Sequence, residues 1–380
     1  FYVILKRLLY FSQIYNTMIK YLSNSRGGFV KQQSIYNISL FELIKWSNEH
    51  NYTEGNAVAL WKNIYRKKVK SLDACSNVSK KYIEEVKKHF QLNLPKVKIK
   101  KIAEDKTAKF LLELHDGNLI ESVLMVNKFG MSLCITSQVG CNMGCSFCAS
   151  GLLTKKRDLT AGEFVGQIMV VNDYISNNID AQKSITNVVI MGIGEPFDNY
   201  ENLKKAVMIL KEEIGLGIAC RKITVSTSGL TEKINKFADD EMNINLAISL
   251  HAPNDELRSE IMKINKAYPL EKLINAVDYY LQRANKRITF EYIMFKNVND
   301  SLVYAKQLVE LIGNRNKKIS VNLIPYNQVD EFSQYQRSNK ETMLIFYDEL
   351  KKSGINTSIR LEYGSDIEAA CGQLRSKQLK

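Results

Sequence analysis

Cys141-Asn-Met-Gly-Cys145-Ser-Phe-Cys148 presents three thiols separated by three and then two residues. Spacings this short let one backbone loop turn several sulfurs toward a common point, and thiolates are the ligands of soft metals and of iron–sulfur clusters. A four-iron cluster needs a ligand on every iron. Three local sulfurs leave two possibilities: a distant cysteine completes the site, or one iron stays open to a small molecule. The alternative is a zinc loop with three Cys and one His. Such sites pair two short spacings roughly a dozen residues or more apart, and the sequence holds no second Cys-x-x-Cys and no His-x-x-His pair.

A loop of this kind has to be held by regular elements. From Met131 onward the pattern alternates between strands and helices. Ser132 to Thr136, Asn187 to Met191, Lys222 to Ser226, Ile244 to Leu250, Arg287 to Met294 and Lys318 to Ile324 read as six strands, and one intervening helix opens with the capping box Thr160-Ala-Gly-Glu163. Repeated strand–helix units imply parallel strands wrapped by helices. With no G-x-G-x-x-G and no P-loop, they predict an α/β fold, a partial (β/α)6 barrel of the TIM type rather than a dinucleotide-binding sheet. In such a barrel the chemistry sits at the C-terminal ends of the strands. The cysteine loop follows the first strand, Gly192-Ile-Gly194-Glu195-Pro196-Phe197 the second, and Ser226-Thr-Ser-Gly229 ends the third. Ser249-Leu250-His251 ends the fourth and Pro325-Tyr326-Asn327 the sixth. Glycines there let backbone approach a ligand. Glu195 could take an ammonium group, and hydroxyls or Asn327 could take ribose and carboxylate. Any one of these is also an ordinary turn; their coincidence at one barrel end is the signal.

Upstream of the barrel, Lys109 to Leu114 and Leu119 to Val126 flank Asp116-Gly117 as a β-hairpin, with Glu121 on the returning strand. The residues before Pro95 read as helical: Ser39-Leu-Phe-Glu42 is a capping box, and Ser79 opens a helix from Lys80 to Phe90. Between those helices, Trp61-Lys-Asn-Ile-Tyr65-Arg-Lys-Lys-Val-Lys70 interleaves cations with aromatics that could meet phosphates and bases, or simply line a solvated helix face. The expected organisation is an upstream extension over 1–17 ahead of Met18, a helical RNA-binding domain over 18–95, a linking β-hairpin region over 96–129, and the barrel with a C-terminal cysteine segment over 130–380.

At 380 residues and a formal net charge of +13, the chain can bury a full core and favours polyanionic partners such as RNA. Seven cysteines, three of them in one loop, point to a reducing, cytoplasmic setting and thiol chemistry rather than disulfides. The apolar opening Phe1-Tyr-Val-Ile-Leu is broken by Lys6 and Arg7, so it reads neither as a signal peptide nor as a membrane span.

The cysteine spacing, with Phe147 before its last member, resembles the radical S-adenosylmethionine (SAM) motif. Together with Ser137-Gln-Val-Gly-Cys141, Met191-Gly-Ile-Gly-Glu-Pro196, Leu246-Ala-Ile-Ser-Leu-His-Ala-Pro-Asn254, Asn322-Leu-Ile-Pro-Tyr-Asn327 and Asp366-Ile-Glu-Ala-Ala-Cys-Gly-Gln373, the chain from about Gln33 onward resembles the RlmN/Cfr family of radical SAM adenosine methyltransferases. The resemblance implies a [4Fe–4S] cluster on Cys141, Cys145 and Cys148 whose open iron chelates SAM. The SAM contacts it implies are Gly194, Glu195, Ser226, Ser249, Leu250, His251 and Asn327. It further implies that Cys371 carries a methyl group delivered by a second SAM, that Cys134 resolves the enzyme–RNA bond as a disulfide, and that Glu121 transfers a proton. The implied partners are 23S ribosomal RNA and transfer RNA, plus an external electron donor such as flavodoxin or ferredoxin; a monomer without membrane attachment is expected. Pro196 after Gly194-Glu195 resembles the carbon-2 branch of the family. The other branch methylates adenine carbon 8 and confers antibiotic resistance. Taken without the family, Cys134 and Cys371 read as small buried hydrophobes, as do Cys75 and Cys220. A non-catalytic iron–sulfur protein that binds RNA is the reading from a different class, and an electron-transfer protein would normally bring four cysteines.

Overall fold

The computed structural model describes residues 32–127, 130–284, 286–329 and 331–374; the expected extension over 1–17 lies outside them. One ten-stranded sheet organises the molecule. Its strands are β1 (Lys96–Ile102), β2 (Ala108–Glu113), β3 (Leu119–Asn127), β4 (Gly130–Cys134), β5 (Asn187–Ile190), β6 (Ile223–Thr227), β7 (Asn245–Ser249), β8 (Ile288–Met294), β9 (Ile319–Pro325) and β10 (Asn356–Ile359). They lie side by side in chain order. From β4 to β10 every neighbouring pair is parallel, whereas β1 to β4 form an antiparallel meander. A doubly wound sheet reverses its strand order at a switch point. Here the order never reverses, as in a barrel opened along one seam.

Six of the seven parallel strands are the expected ones. The seventh, β10, is a four-residue polar edge strand, Asn-Thr-Ser-Ile, with no apolar alternation to announce it. The hairpin also gains β1, whose Lys-Val-Lys-Ile-Lys-Lys-Ile sequence leaves most of its residues exposed at the opposite edge. Lysines on an edge strand discourage pairing with other chains. The interior strands read differently, as parallel strands closed off from solvent do: β8 buries nearly all of its length.

The helices are α1 (Leu40–Glu49), α2 (Glu54–Tyr65), α3 (Lys80–His89), α4 (Ala161–Asn178), α5 (Tyr200–Lys211), α6 (Thr231–Asp239), α7 (Asp255–Ile261), α8 (Leu270–Arg283), α9 (Leu302–Ile312) and α10 (Lys340–Lys352). Both capping boxes form. Ser39 Oγ accepts from Glu42 N–H at 3.2 Å while the Ser39 N–H donates to the Glu42 carboxylate at 2.7 Å, and Thr160 and Glu163 do the same at 3.3 and 2.9 Å. The α1–α3 helices share one continuous core with the sheet: Leu43, Trp61 and Tyr82 belong to the same apolar cluster as Phe164, Leu246 and Phe290.

That packing corrects the reading of residues 61–70. Trp61 and Tyr65 are 1% and 2% exposed and pack on each other, with ring centroids 4.4 Å apart. Their rings are core, closed to any base. The cations face outward and several dock the segment onto its surroundings: Lys70 pairs with Asp173 at 2.6 Å, Lys68 donates to Ser176 at 3.2 Å, and Arg66 donates to the Glu213 carbonyl.

Candidate functional site

Cys134 ends β4, and the chain then runs through a two-residue pairing of Gln138–Val139 with Arg157–Asp158 into the cysteine loop. Gly140 opens that loop with φ +81°, where a Cβ would lie 2.3 Å from the Thr154 carbonyl oxygen, so only glycine fits. The Cys141 N–H donates to the Leu153 carbonyl at 2.8 Å, and the Ser146 N–H to the Ile261 carbonyl at 3.0 Å. Phe147 is buried and anchors the loop, its ring edge-on to His251 at 4.9 Å and tilted on Phe295 at 5.5 Å.

Burial pushes the Cys141 thiol up to about 12 and raises Cys145 and Cys148 as well; Cys148 adds to the rise at Cys141, Cys148 and Cys141 add to it at Cys145, and Cys371 adds to it at Cys148. Thiols held protonated like this ionise when a metal displaces the proton. The donor set also speaks to which metal fits. Tetrahedral zinc holds its sulfurs about 3.8 Å apart, given Zn–S bonds of ~2.3 Å. Among the described residues, the one group of three or more such ligand atoms lying within 4.8 Å of one another is elsewhere, at His50, Glu85 and His89. Three thiols on one loop, with no second short-spaced Cys or His pair in the sequence, suit the irons of one cluster better than a closed zinc site.

The loops at the other strand ends lock together around this one. Gly194 has φ +101°, and a Cβ there would lie 2.5 Å from Gln138 Cβ. Gln138 accepts from the Glu195 N–H at 2.8 Å and donates to Asp158 and Asp198 at 2.8 and 2.9 Å. Glu195 is buried, and its carboxylate accepts from the Phe197 N–H at 2.9 Å and the Ser228 N–H at 2.7 Å, strapping the loop after β5 to the loop after β6. Burial raises its pKa and those amides oppose the rise. An ammonium partner would use the lone pairs that remain. Ser226 Oγ and Ser249 Oγ lie 3.5 Å apart on adjacent strands. Leu250 is fully buried, and its N–H donates to the Glu291 carbonyl at 3.0 Å.

His251 adopts φ +58°, and its Nδ1 accepts from the Ile293 N–H at 3.1 Å. The proton of the neutral ring therefore sits on Nε2, and burial lowers its pKa to about 3, so the ring is neutral. Arg258, which the sequence reading passed over, is fully buried. It donates to the carbonyls of Ser228, Ser249 and Leu250 at 2.8, 3.2 and 3.2 Å, gathering the ends of β6 and β7.

The C-terminal segment closes over this end of the sheet. The Ala149 N–H donates to the Gly372 carbonyl at 2.8 Å and Ser150 Oγ to the Leu374 carbonyl at 2.8 Å, so the segment carrying Cys371 is bonded to the loop carrying Cys148. Asn327 donates to the Cys371 carbonyl at 3.3 Å, and Gln373 to the Gln328 carbonyl at 3.0 Å. One pocket results, lined by Cys134, Cys148, Met191, Asn327, Arg360 and Cys371 among others. Burial pushes Cys134 up to about 12; Cys371 adds to the rise and Arg360 opposes it.

Arg360 is a second residue the sequence reading missed. It lies just beyond β10, 3.7 Å from the Glu291 carboxylate and 4.0 Å from the Met191 sulfur. Nearby Cys371, then Glu291 and Cys134, hold its pKa above the ordinary arginine value against the cost of burial. Glu121 lies further along the strand that borders the pocket. It shares a face of β3 with Val123 and Met125, which line the pocket, and pairs with Lys109 at 3.0 Å. Lys109 in turn donates to the Glu368 carbonyl at 2.9 Å, three residues before Cys371. Cys75 and Cys220 pack at the margin of the main core, away from this pocket.

Known proteins match this arrangement. The Radical SAM superfamily model matches residues 135–308. A probable dual-specificity RNA methyltransferase RlmN of Shouchella clausii is 51% identical over 92% of this chain and 98% of its own length. A relative of the same description from Enterococcus faecalis is also 51% identical, again over 92% of this chain and 98% of its own length. The crystal structure of a radical SAM methyltransferase from Sphaerobacter thermophilus superposes with a TM-score of 0.85 at 37% identity, covering 91% of this chain and all of that one. A chain with this sheet, this cysteine loop and identity of that extent belongs to the RlmN family of radical SAM methyltransferases.

Proposed function

We propose that this chain methylates adenine carbon 2 in 23S ribosomal RNA and in transfer RNA, through a methyl group carried on Cys371. The observation that carries the reading is the shared pocket: Cys134, Cys371 and Cys148 line it, and the Cys371 segment is hydrogen-bonded to the cluster loop. Cys141, Cys145 and Cys148 are the residues to hold a [4Fe–4S] cluster. Gly194, Glu195, Ser226, Ser249, Leu250, His251 and Asn327 are those to surround SAM. When bound, this pair supplies an activated methyl group and the one-electron chemistry that opens an unreactive adenine carbon to attack.

The chain's own residues do the rest. Cys371 holds the methyl carbon on its sulfur and presents it to the base. Arg360 places a positive charge beside that sulfur and beside Cys134, which favours thiolate there when the link is to be broken. Cys134 attacks the Cys371 sulfur as thiolate; the sulfur–carbon bond breaks with its electron pair passing to the departing carbon, which takes up a proton to become the product methyl group, and a disulfide remains for an external thiol to reduce. Glu121 takes the proton from the methylated carbon. An electron donor of the flavodoxin or ferredoxin class serves a monomeric enzyme in the cytoplasm. No helix among the described residues is long and apolar enough to cross a membrane.

The decisive experiment is mass spectrometry of adenosine from ribosomal and transfer RNA of cells with and without this protein, against authentic 2-methyl- and 8-methyladenosine. The 2-methyl nucleoside is expected to appear only with the protein. A dominant 8-methyl peak overturns the assignment of the target atom, and no methylated adenosine overturns the activity.

A further inference from the structure

On the helical N-terminal part of the chain, remote in sequence from the cysteine loop, two imidazoles and a carboxylate converge. His50 caps the C-terminal end of α1, while Glu85 and His89 sit four residues apart on α3 and so on one face of that helix. One ligand atom from each of the three lies within 4.8 Å of the other two.

The rings are held in a binding posture. His50 Nδ1 lies 2.8 Å from the Trp46 carbonyl oxygen, which can only accept, so Nδ1 carries the proton and Nε2 keeps its lone pair. A histidine ligand whose other nitrogen donates to a backbone carbonyl is the usual arrangement behind a metal, since that bond fixes both tautomer and ring orientation. The indole of Trp46 sets the ring planes. His50 stacks on it at 4.4 Å and 29°, and His89 meets it edge-on at 5.4 Å. Stacking occupies the ring face and leaves the in-plane lone pair open. The Glu85 carboxylate is divided: Oε2 accepts from Lys88 at 2.8 Å, and Oε1 lies 3.4 Å from His89 Nε2. The Glu85 and His89 side chains are 23% and 39% exposed, so an ion can reach them from solvent.

We propose that His50, Glu85 and His89 bind one Zn²⁺ ion, with water in the fourth position, joining the ends of α1 and α3. Two imidazoles and a carboxylate without a thiolate suit zinc, whereas calcium and magnesium favour all-oxygen sites. The ion bridges helices whose inner faces, through Leu43 and Tyr82, enter the main core.

The test uses the full-length protein with its cluster reconstituted anaerobically, so that the cysteines are occupied, and stripped of loose metal. Zinc is titrated in competition with a chromophoric chelator. Wild type is expected to bind one equivalent more than the His50→Gln/His89→Gln double variant, and Glu85→Gln is expected to bind that equivalent at least about tenfold more weakly. Zinc is also expected to raise the unfolding temperature of wild type but not of the double variant, as binding to the folded state alone requires. X-ray absorption at the zinc edge of wild type gives a readout independent of how the variants fold. A shell of nitrogen and oxygen with imidazole scattering supports the site. A sulfur shell, or equal zinc uptake by wild type and the double variant, overturns it.

Discussion

Cys134 and Cys371 line a single pocket, near enough that Cys371 helps hold the Cys134 thiol protonated, although most of the barrel separates them in the chain. Neither can reach the other through local structure. β4 supplies the first, and a tail bonded to the cysteine loop supplies the second. Such an arrangement suits a covalent hand-over, and it makes the two cysteines distinguishable by substitution. Cys134→Ala should accumulate a ribonuclease-sensitive protein–RNA adduct on gels. Cys371→Ala should form none and should show no methylated cysteine on peptide mass mapping. Normal methylation by Cys371→Ala would rule out the covalent route.

Changing Cys141, Cys145 and Cys148 together to Ala should abolish the iron and the electron paramagnetic resonance signal of the reduced, reconstituted protein. Retention of a full cluster would place it elsewhere.

Gly140→Ala should destabilise the loop without touching a ligand. The added Cβ would meet the Thr154 carbonyl, and the positive φ is itself unfavourable for alanine. The backbone strain alone is of order 1–3 kcal/mol, and the collision adds to it. Reduced cluster retention and a lower unfolding temperature are the expected results.

Lys109 and Glu121 form a pair whose side chains are 11% and 4% exposed. Removing one member of a buried pair costs up to about 3–5 kcal/mol, and less where other groups still hold the remaining charge. Lys109→Met should therefore lower the urea midpoint strongly and loosen the Cys371 segment, which loses its bond at Glu368. A change below ~1 kcal/mol would show that solvent already screens the pair.

The neutral His251 predicts an acid response. Its folded pKa of about 3 lies below the ordinary 6.5, so the unfolded chain binds the extra proton between those values. The stability from keeping the ring neutral is fully present above about pH 6.5 and is lost progressively as pH falls toward 3. His251→Asn tolerates the positive φ and keeps an acceptor for the Ile293 N–H. Urea midpoints of the cluster-free protein at several pH values should fall less steeply for this variant than for wild type.

What could be read from the sequence was local. Ser39–Glu42 and Thr160–Glu163 form their capping boxes because the bonds span only three residues and need nothing from elsewhere. The cysteine loop and the glycines at strand ends were readable for the same reason. The missed features depend on assembly. The strand Asn356–Ile359 is defined by its neighbour β9 rather than by its own polar sequence. Arg360 and Arg258 look like surface cations until the fold surrounds them with carbonyls, a carboxylate and sulfur. Residues 61–70 misled in the opposite direction. A charge run interleaved with aromatics looks the same whether the rings point outward or inward, and only the burial of Trp61 and Tyr65 on the inner side of α2 decides.

The bonds from Ala149 and Ser150 to Gly372 and Leu374 tie the tail to the metal loop. Cys371 and Cys148 therefore move as one unit: whatever displaces the cysteine loop carries the methyl-bearing sulfur with it, so a fault in either segment is felt at both.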